Sequence, residues 1–286
     1  MAENIYKFIL NLFSSLTSVL KTLLRSSYLN KIKANPANQS VIILGTGPSF
    51  KSTIENHLAE LLSHDTIGLN HFAEKEEFSL IKPKHYVIGA PELWNDKLDQ
   101  KYLDRSKKLF TALAENTHWP MQLFIGISGK GFSMLKLFDG HKNITVKYYN
   151  RTAVEGNNFI RHKMFDWQLG MPRPHNVMIP SIMISLWLGY KKIILVGADH
   201  SWHEQIKVDD SNNVLLDQKH YFSKKENWKP MHYAGQRSRL MHEVFEKLTL
   251  AFKGYHIINN YASKRHVEII NASEKSYIDA FRRTSF

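Results

Sequence analysis

The chain has 286 residues, contains no cysteine and carries a formal net charge of +12 at pH 7. Without cysteine it cannot form disulfides, use a thiolate nucleophile or bind zinc through cysteine, a composition that suits a reducing cytoplasm. The positive charge favours anionic partners such as lipid headgroups, nucleotides and acidic sugars, but the basic residues form no nucleic-acid-binding motif, so no nucleic-acid partner is expected.

An amphipathic helix is predicted at the N-terminus, because apolar residues recur there at steps of three and four and polar residues occupy the other side. Polar residues interrupt the segment too often for a membrane span, and no signal-peptide cleavage site is present. The apolar positions are Ile5, Phe8, Ile9, Leu12, Phe13, Leu16, Val19, Leu20, Leu23 and Leu24, and the polar ones are Asn4, Lys7, Asn11, Ser14, Ser15, Ser18 and Arg25.

Two roles are open for this helix. It could lie on an anionic membrane with the help of Lys21, Arg25, Lys31 and Lys33. It could instead pack on its own domain or on a second subunit, which leaves a homo-oligomer open. The first role is preferred and places the protein in the cytoplasm, peripheral on the inner face of the cell membrane. Residues 34–40 have linker composition. We therefore divide the chain into a helix with its linker, residues 1–39, and a nucleotide-binding catalytic domain, residues 40–286.

The clearest signal is the apolar run Val41–Leu44 followed by the turn Gly45-Thr46-Gly47-Pro48-Ser49. Such a run is typical of a buried parallel strand, and glycines after it let backbone N–H groups approach an anion at the start of the next helix. The turn is neither the G-x-G-x-x-G fingerprint nor a P-loop. We expect these five residues to bind the phosphate of a nucleotide; a plain corner between strand and helix is the alternative.

Strands and helices alternate along the rest of the chain. This order predicts an α/β fold with a doubly wound, mostly parallel, Rossmann-like sheet whose ligand site lies beyond the carboxyl ends of the strands. After the first strand, further strands are predicted at 66–70, 86–89, 121–125, 144–149, 192–197 and 267–271, and helices at 52–62, 180–188 and 238–262.

Polar residues at the predicted strand ends are candidates for chemistry. Asn70 can hydrogen-bond a base or a sugar hydroxyl. Asp199 can orient a histidine or bind ribose hydroxyls, and His200 can act as a general base near neutral pH. His232 is a second candidate base. The alternative is that Asp199 and His200 only cap the segment that follows.

A lid and a second phosphate contact are predicted further along. Residues 209–230 form a polar, aromatic and basic stretch of the kind that orders over an anionic ligand. Arg237 and Arg239 lie near the start of the last long helix, where they can contact a phosphate or the acceptor. The residues that suggest the lid are Lys219, His220, Tyr221, Phe222, Lys224, Lys225, Trp228 and Lys229.

Four segments together resemble a known family: 45–49, 68–72, 188–199 and 232–235. They are similar to bacterial sialyltransferases that modify lipooligosaccharide. They equally resemble the archaeal 6-hydroxymethylpterin pyrophosphokinase-like proteins and the flagellin-associated motility factors. The resemblance runs in order from about residue 40 to residue 286.

The resemblance implies a GT-A-type domain that binds a CMP-activated sugar, needs no metal or other cofactor, and transfers the sugar with inversion to a surface glycan or glycolipid, as in lipopolysaccharide or capsule synthesis. The turn and Asn70 would contact the nucleotide. The resemblance also adds Asn176, Ser181 and Ser201 to the nucleotide-binding residues.

This sequence departs from the family pattern at the site. Because glutamine cannot accept a proton at neutral pH, Gln236 cannot replace the family's base, and His232 or His200 is expected to take that role. The departures are Thr46 and Ala90 in place of asparagines, Ser201 in place of a tyrosine, and Gln236 in place of the base.

Two other functions stay open. A diphosphokinase would transfer diphosphate from ATP to a pterin and would bind magnesium through acidic residues such as Asp199, Glu204, Asp209 and Asp210. A catalytically silent module of a glycan-assembly complex is the third reading, because the expected base is missing at Gln236.

Overall fold

The fold is given by a computed structural model, which describes residues 2–34, 36–217, 219–222, 226–233 and 237–286. The strands are β1 (Ser40–Leu44), β2 (Asp65–Leu69), β3 (His85–Val87), β4 (Met121–Gly126), β5 (Ile144–Tyr149), β6 (Lys192–Val196), β7 (Ile206–Val208), β8 (Val214–Leu216), β9 (Lys229–Pro230), β10 (His232–Tyr233), β11 (Arg237–Ser238), β12 (Glu268–Asn271) and β13 (Arg282–Arg283). The α-helices are α1 (Ala2–Arg25), α2 (Phe50–Leu62), α3 (Glu76–Ile81), α4 (Gln100–Asn116), α5 (Asn158–Asp166), α6 (Met178–Leu188) and α7 (Met241–Ser263).

The central sheet contains eight strands in the order β13-β12-β6-β1-β2-β3-β4-β5, and every pair in it is parallel. The chain runs outward from β1 to β5, then returns so that β6 lies on the free side of β1. The direction of winding therefore reverses between β1 and β6, which makes this crevice the topological switch point of the sheet. The predicted doubly wound, Rossmann-like α/β fold is confirmed.

Successive residues of β1 face two separate cores, because side chains alternate across a strand. Val41 and Ile43 pack in a core that contains α6 and part of α7, whereas Ile42 and Leu44 pack in a core that contains residues of α2 and α4. All of β1 from Val41 to Leu44 is completely buried. This two-sided burial explains the continuous apolar run.

The helix α1 packs on its own domain through its polar side. Ser15 and Ser18 are 1% exposed, and their hydroxyls accept hydrogen bonds from the backbone N–H groups of Asn157 (2.8 Å) and Glu155 (2.9 Å). The amphipathic pattern is present as predicted, but the buried side is the polar one. Within the described residues, none of the helices has the length and hydrophobicity that a bilayer crossing requires.

The stretch predicted as a lid is partly a small sheet. Strands β7, β8 and β9 pair antiparallel, so β8 runs back along β7 and β9 runs back along β8. Lys219 and His220 line the cleft described below, whereas Lys224 and Lys225 lie outside the described residues. The composition of this stretch did not predict β8 and β9, because strands of three and two residues are too short to show a period in the sequence.

Burial of His85 should make the protein less stable in acid. Burial lowers its pKa to about 4, whereas an unfolded histidine titrates near pH 6.5. Between these values the unfolded state binds a proton that the folded state excludes, so stability falls as the pH falls. We expect the free energy of unfolding to decrease from pH 7 to pH 5, with His85 contributing up to about 2 kcal/mol of that decrease.

Urea unfolding of the wild type and of His85→Gln at both pH values measures this contribution. The variant is expected to show the smaller decrease. The same pH dependence in both proteins would contradict the assignment.

Candidate active cleft at the switch point

A cleft of about 540 Å³ lies beyond the carboxyl ends of β1, β2, β3 and β6. Its walls include Gly45 after β1, Asn70 after β2, Gly89 after β3 and Gly197 after β6. Sites for small molecules commonly have volumes of about 300 to 1,000 Å³, and in open parallel sheets they lie at the switch point. Both the size and the position of this cleft therefore suit a ligand of nucleotide dimensions.

The backbone of the glycine turn is bonded to the end of β6. The N–H of Gly47 donates to the carbonyl oxygen of Gly197 (2.9 Å), and the N–H of Ser49 donates to the Asp199 carboxylate (3.1 Å). The expectation that exposed amides around Gly47 hold a phosphate is therefore corrected: the chain itself occupies these two donors. The physical reason is that β6 pairs directly with β1, so the two strand ends meet.

Glycine is required here by the close approach of two backbones. A Cβ atom on Gly45 would lie 2.5 Å from the carbonyl oxygen of Gly197, and one on Gly47 would lie 2.1 Å from an Asp199 carboxylate oxygen. Gly197 has a φ of +60°, which glycine adopts without strain. The glycines thus serve the contact between strand ends.

Asp199 supplies a negative charge at the start of α2. Its carboxylate accepts hydrogen bonds from the N–H of Ser49 and, at 2.9 Å, from the hydroxyl of the same residue. Burial raises the pKa of Asp199, and the bonds from Ser49 act in the opposite direction. An anion is stabilised at the start of a helix. Asp199 therefore occupies the position that a bound phosphate was expected to fill.

His200 is held by a chain of hydrogen bonds that fixes its tautomer. Asn176 Oδ1 accepts the N–H of Met178 (2.9 Å), which identifies this atom as the oxygen, and the Tyr255 hydroxyl lies 3.1 Å from it. Since Asn176 Oδ1 can only accept, the Tyr255 hydroxyl donates to it and accepts from His200 Nε2 at 2.5 Å. His200 Nε2 thus carries the proton, and Nδ1 keeps a lone pair.

The imidazole of His200 is neutral over the physiological range. Burial lowers its pKa to about 3, and the ring packs against Trp202 with 4.1 Å between ring centroids. A neutral imidazole with its proton on Nε2 can accept a hydrogen bond at Nδ1. The side chain lines the cleft.

The lining of the cleft also includes basic residues that were not predicted from the sequence: Arg151, His175 and Lys247. In the described part of the chain, Arg151 Nε and His175 Nε2 are buried without a hydrogen-bond partner. Burial lowers the pKa of Lys247, and the nearby Arg239 lowers it further. Buried polar atoms are nearly always paired in folded proteins, so these groups suit an anionic ligand. We call these three residues the basic wall.

The sequence contains a signal for one member of the basic wall. Arg151 follows the strand at 144–149, and the rule that placed Asn70 and Asp199 at strand ends applies to it as well. His175 lies just before α6, and Lys247 lies within α7. Their positions depend on how those helices pack over the sheet, which the sequence pattern does not show.

Asn70 and two residues of the predicted lid complete the cleft. Asn70 Oδ1 accepts the N–H of Gly89 at 2.9 Å and so ties the end of β2 to the end of β3. His220 Nδ1 lies 3.3 Å from the hydroxyl of Thr46. Lys219 lines the cleft, and its Nζ lies 3.9 Å from the Asp217 carboxylate.

Most of the predicted site residues meet in this cleft. Its lining includes Gly45, Thr46, Gly47, Pro48, Asn70, Asn176, Asp199, His200 and Ser201, together with Ala90. The other predicted site residues that the structure describes lie outside this lining, and their positions are as follows.

Ser49, the last residue of the turn, binds Asp199. Ser181 is fully buried within α6 and donates to the Val177 carbonyl. His232 is exposed on β10. Arg237 pairs with Glu243, with 2.9 Å between Nη1 and Oε2.

Arg239 is only partly exposed, and its charge lowers the pKa values of the basic-wall residues His175 and Lys247, which themselves line the cleft. Gln236, the position expected for the base, lies outside the described residues.

The acidic residues considered for magnesium are dispersed. Asp199 binds Ser49, Glu204 accepts from the Tyr277 hydroxyl, and Asp209 binds Asn213 in a turn. Among the described residues, no group of three or more His, Cys, Asp or Glu side chains is arranged to hold a metal ion. The diphosphokinase alternative therefore loses the carboxylate cluster on which it depended.

No protein-family model matches the chain, and neither does any curated protein. A solved structure that resembles it is the MAf glycosyltransferase from Magnetospirillum magneticum AMB-1. The two proteins are 14% identical with a TM-score of 0.48, and the similarity covers 95% of this chain and 38% of that one. This chain thus spans well under half the length of that protein.

The role of Asp199 as a helix cap predicts a loss of stability when it is removed. We expect Asp199→Ala to lower the free energy of unfolding by about 1 to 3 kcal/mol, because the N–H and hydroxyl of Ser49 lose a charged acceptor. Asp199→Asn keeps an oxygen acceptor and should lose less. The exposed Asp210→Ala is the control and should stay within about 0.5 kcal/mol of the wild type. Denaturant unfolding measures all three; equal stability of Asp199→Ala and Asp210→Ala would contradict the cap.

Proposed function

We propose that this chain is a glycosyltransferase that takes its sugar from a nucleotide-activated donor. The observation that carries the proposal is the switch-point cleft, whose lining combines the basic side chains of Arg151, Lys219 and Lys247 with a neutral, oriented His200. The choice of CMP as the nucleotide, and of a surface glycan or glycolipid as acceptor, is supported by the resemblance to lipooligosaccharide sialyltransferases.

The charges of the cleft suggest where the phosphate of the donor binds. Because the Asp199 carboxylate occupies the start of α2, a phosphate placed beside the glycine turn would meet a like charge. The basic wall offers Arg151 and Lys247 instead. Cations fixed in a partly buried site stabilise the charge that develops on a departing phosphate.

The reaction follows the ordinary course of glycosyl transfer. An acceptor hydroxyl attacks the anomeric carbon of the donor sugar and forms the new C–O bond on the face opposite the nucleotide. The bond between the anomeric carbon and the phosphate oxygen breaks, and its electron pair leaves with the nucleotide phosphate. The acceptor proton must then pass to a base.

We assign that base to His200 in preference to His232. His200 lines the cleft and keeps a lone pair on Nδ1, whereas His232 is exposed on β10. The low pKa of His200 (about 3) is compatible with this role, because the oxygen that loses the proton has already bonded to carbon and is far more acidic than an imidazolium.

Nucleotide binding is the first test of the proposal. Without magnesium, CMP should raise the melting temperature, since a ligand at about 100 times its Kd adds about 2.7 kcal/mol to the stability of the folded state. Lys247→Gln should weaken CMP binding about tenfold or more, because it removes a charge-assisted contact. The matched control is Lys253→Gln on the exposed side of the same helix, which should bind as the wild type does. Stabilisation by ATP only with magnesium would favour the diphosphokinase, and no response to nucleotides would favour a silent module.

Sugar transfer tests the role of His200. With a CMP-activated sugar and a glycan acceptor, His200→Gln should lower kcat about 100-fold, the usual scale for loss of a positioned base. Tyr255→Phe removes the hydroxyl that accepts from Nε2 and should lower kcat less. CMP affinity should stay close to the wild-type value in both variants. Unchanged kcat in His200→Gln would remove His200 from the mechanism, and the same measurement on His232→Gln would then test the other histidine.

A further inference from the structure

The helix α1 presents an apolar face that the described chain leaves uncovered. Eleven large apolar side chains on it are between 46% and 76% exposed. They include residues at both ends of the helix, so the face runs along its whole length. These side chains are Ile5, Tyr6, Phe8, Ile9, Leu10, Leu12, Phe13, Leu16, Leu20, Leu23 and Leu24.

This face points away from the domain. Ser15, Ser18 and Thr22 form the buried side of the helix and are at most 3% exposed. At about 100° of rotation per residue, Leu16 and Leu20 lie roughly half a turn from Ser18. The helix is thus attached by its polar side, and its most apolar side is directed outward. Single exposed apolar residues are common on proteins, but a continuous patch of this kind marks an interaction surface.

Basic residues lie near the C-terminal end of α1 and in the segment after it. Lys21 and Arg25 are exposed on the last turns of α1, and Lys31 and Lys33 are exposed in the segment that follows. Lys31, Lys33 and Lys147 line one cleft of about 280 Å³, whose described lining contains no carboxylate. An apolar helix face with flanking lysines and arginines is the pattern of a helix that lies in the surface of an anionic bilayer.

We propose that α1 is a membrane-docking element that inserts its apolar face into the surface of a bilayer containing anionic lipid. A second copy of the chain is a poorer occupant of this face, since both copies carry a net charge of +12 and would repel one another. Anionic headgroups neutralise that charge. The helix is attached to the domain through Ser15 and Ser18, so binding orients the domain on the membrane.

The attachment also lies close to the candidate cleft. The hydroxyl of Ser26, directly after α1, lies 2.7 Å from that of Thr152, and the neighbouring Arg151 lines the cleft. Docking of α1 therefore brings one wall of the cleft near the membrane surface. The apolar face of α1 is a different surface from the cleft, so membrane docking does not depend on whether the cleft transfers a sugar.

Sedimentation with vesicles tests the proposal on the full chain. The wild type should bind vesicles of phosphatidylcholine mixed with phosphatidylglycerol, and bind those of phosphatidylcholine alone much more weakly. The double variant Leu16→Asp/Leu20→Asp should bind mixed vesicles at least tenfold more weakly, because it removes apolar area that the wild type buries in the bilayer. The control Leu62→Asp/Leu80→Asp changes two leucines of similar exposure, 49% and 48%, on other helices and should bind as the wild type does. The double variant Lys21→Gln/Arg25→Gln should also bind mixed vesicles more weakly, by about fivefold for each basic residue that it removes.

Two further measurements keep the test decisive. The tryptophan introduced by Phe13→Trp should emit at shorter wavelength when mixed vesicles are added, because its indole ring enters an apolar environment. Melting temperatures should be similar for all variants, since the changed side chains are exposed. Absence of wild-type binding, or equal loss in the control, would overturn the proposal. So would a dimer that Leu16→Asp/Leu20→Asp dissociates while vesicle binding is absent, which would show that a second copy covers this face.

Discussion

The hydrogen bonds from Ser49 to the Asp199 carboxylate join the end of β6 to the start of α2 across the switch point. With the bond from Gly47 to Gly197, they close the crevice between β1 and β6 at its base. The close contact of the two strand ends explains why side chains are excluded at Gly47. The remaining strand ends and α7 then surround the space above this base, and that space is the cleft.

This contact also distributes the charge of the site. A helix that begins at a glycine turn normally offers its N–H groups to an anion, and here the chain provides that anion itself through Asp199. An anionic ligand is therefore directed toward Arg151 and Lys247, where polar and charged groups are partly buried. His200 lies in the same cleft, neutral and oriented through Tyr255. In the proposed transferase the phosphate binds at the basic wall, and His200 accepts the proton of the acceptor.

The sequence predicted seven of the eight strands of the central sheet, because fully buried strands such as Val41–Leu44 are long apolar runs and parallel strands end on one edge. It did not predict β13, whose two residues are too few to show a pattern. That edge rule placed Asn70 and His200 correctly in one cleft. It could not show that the N–H groups of Gly47 and Ser49 are already bonded, since that depends on the distance between β1 and β6. Nor could it locate Lys247, whose position depends on the packing of α7.

The N-terminal helix shows the same limit. Its period separated two faces, but only the tertiary contacts of Ser15 and Ser18 reveal that the polar face is the buried one.

Hydrogen exchange of the intact protein with and without CMP tests the central claim most directly, because it reports on each part of the cleft separately. The account predicts slower exchange on both sides of the switch point, in residues 45–49 and 197–202, and also in residues 89–92 and 174–178 beside the basic wall. Unchanged exchange in all four segments at saturating CMP, or protection confined to residues outside the cleft, would contradict it.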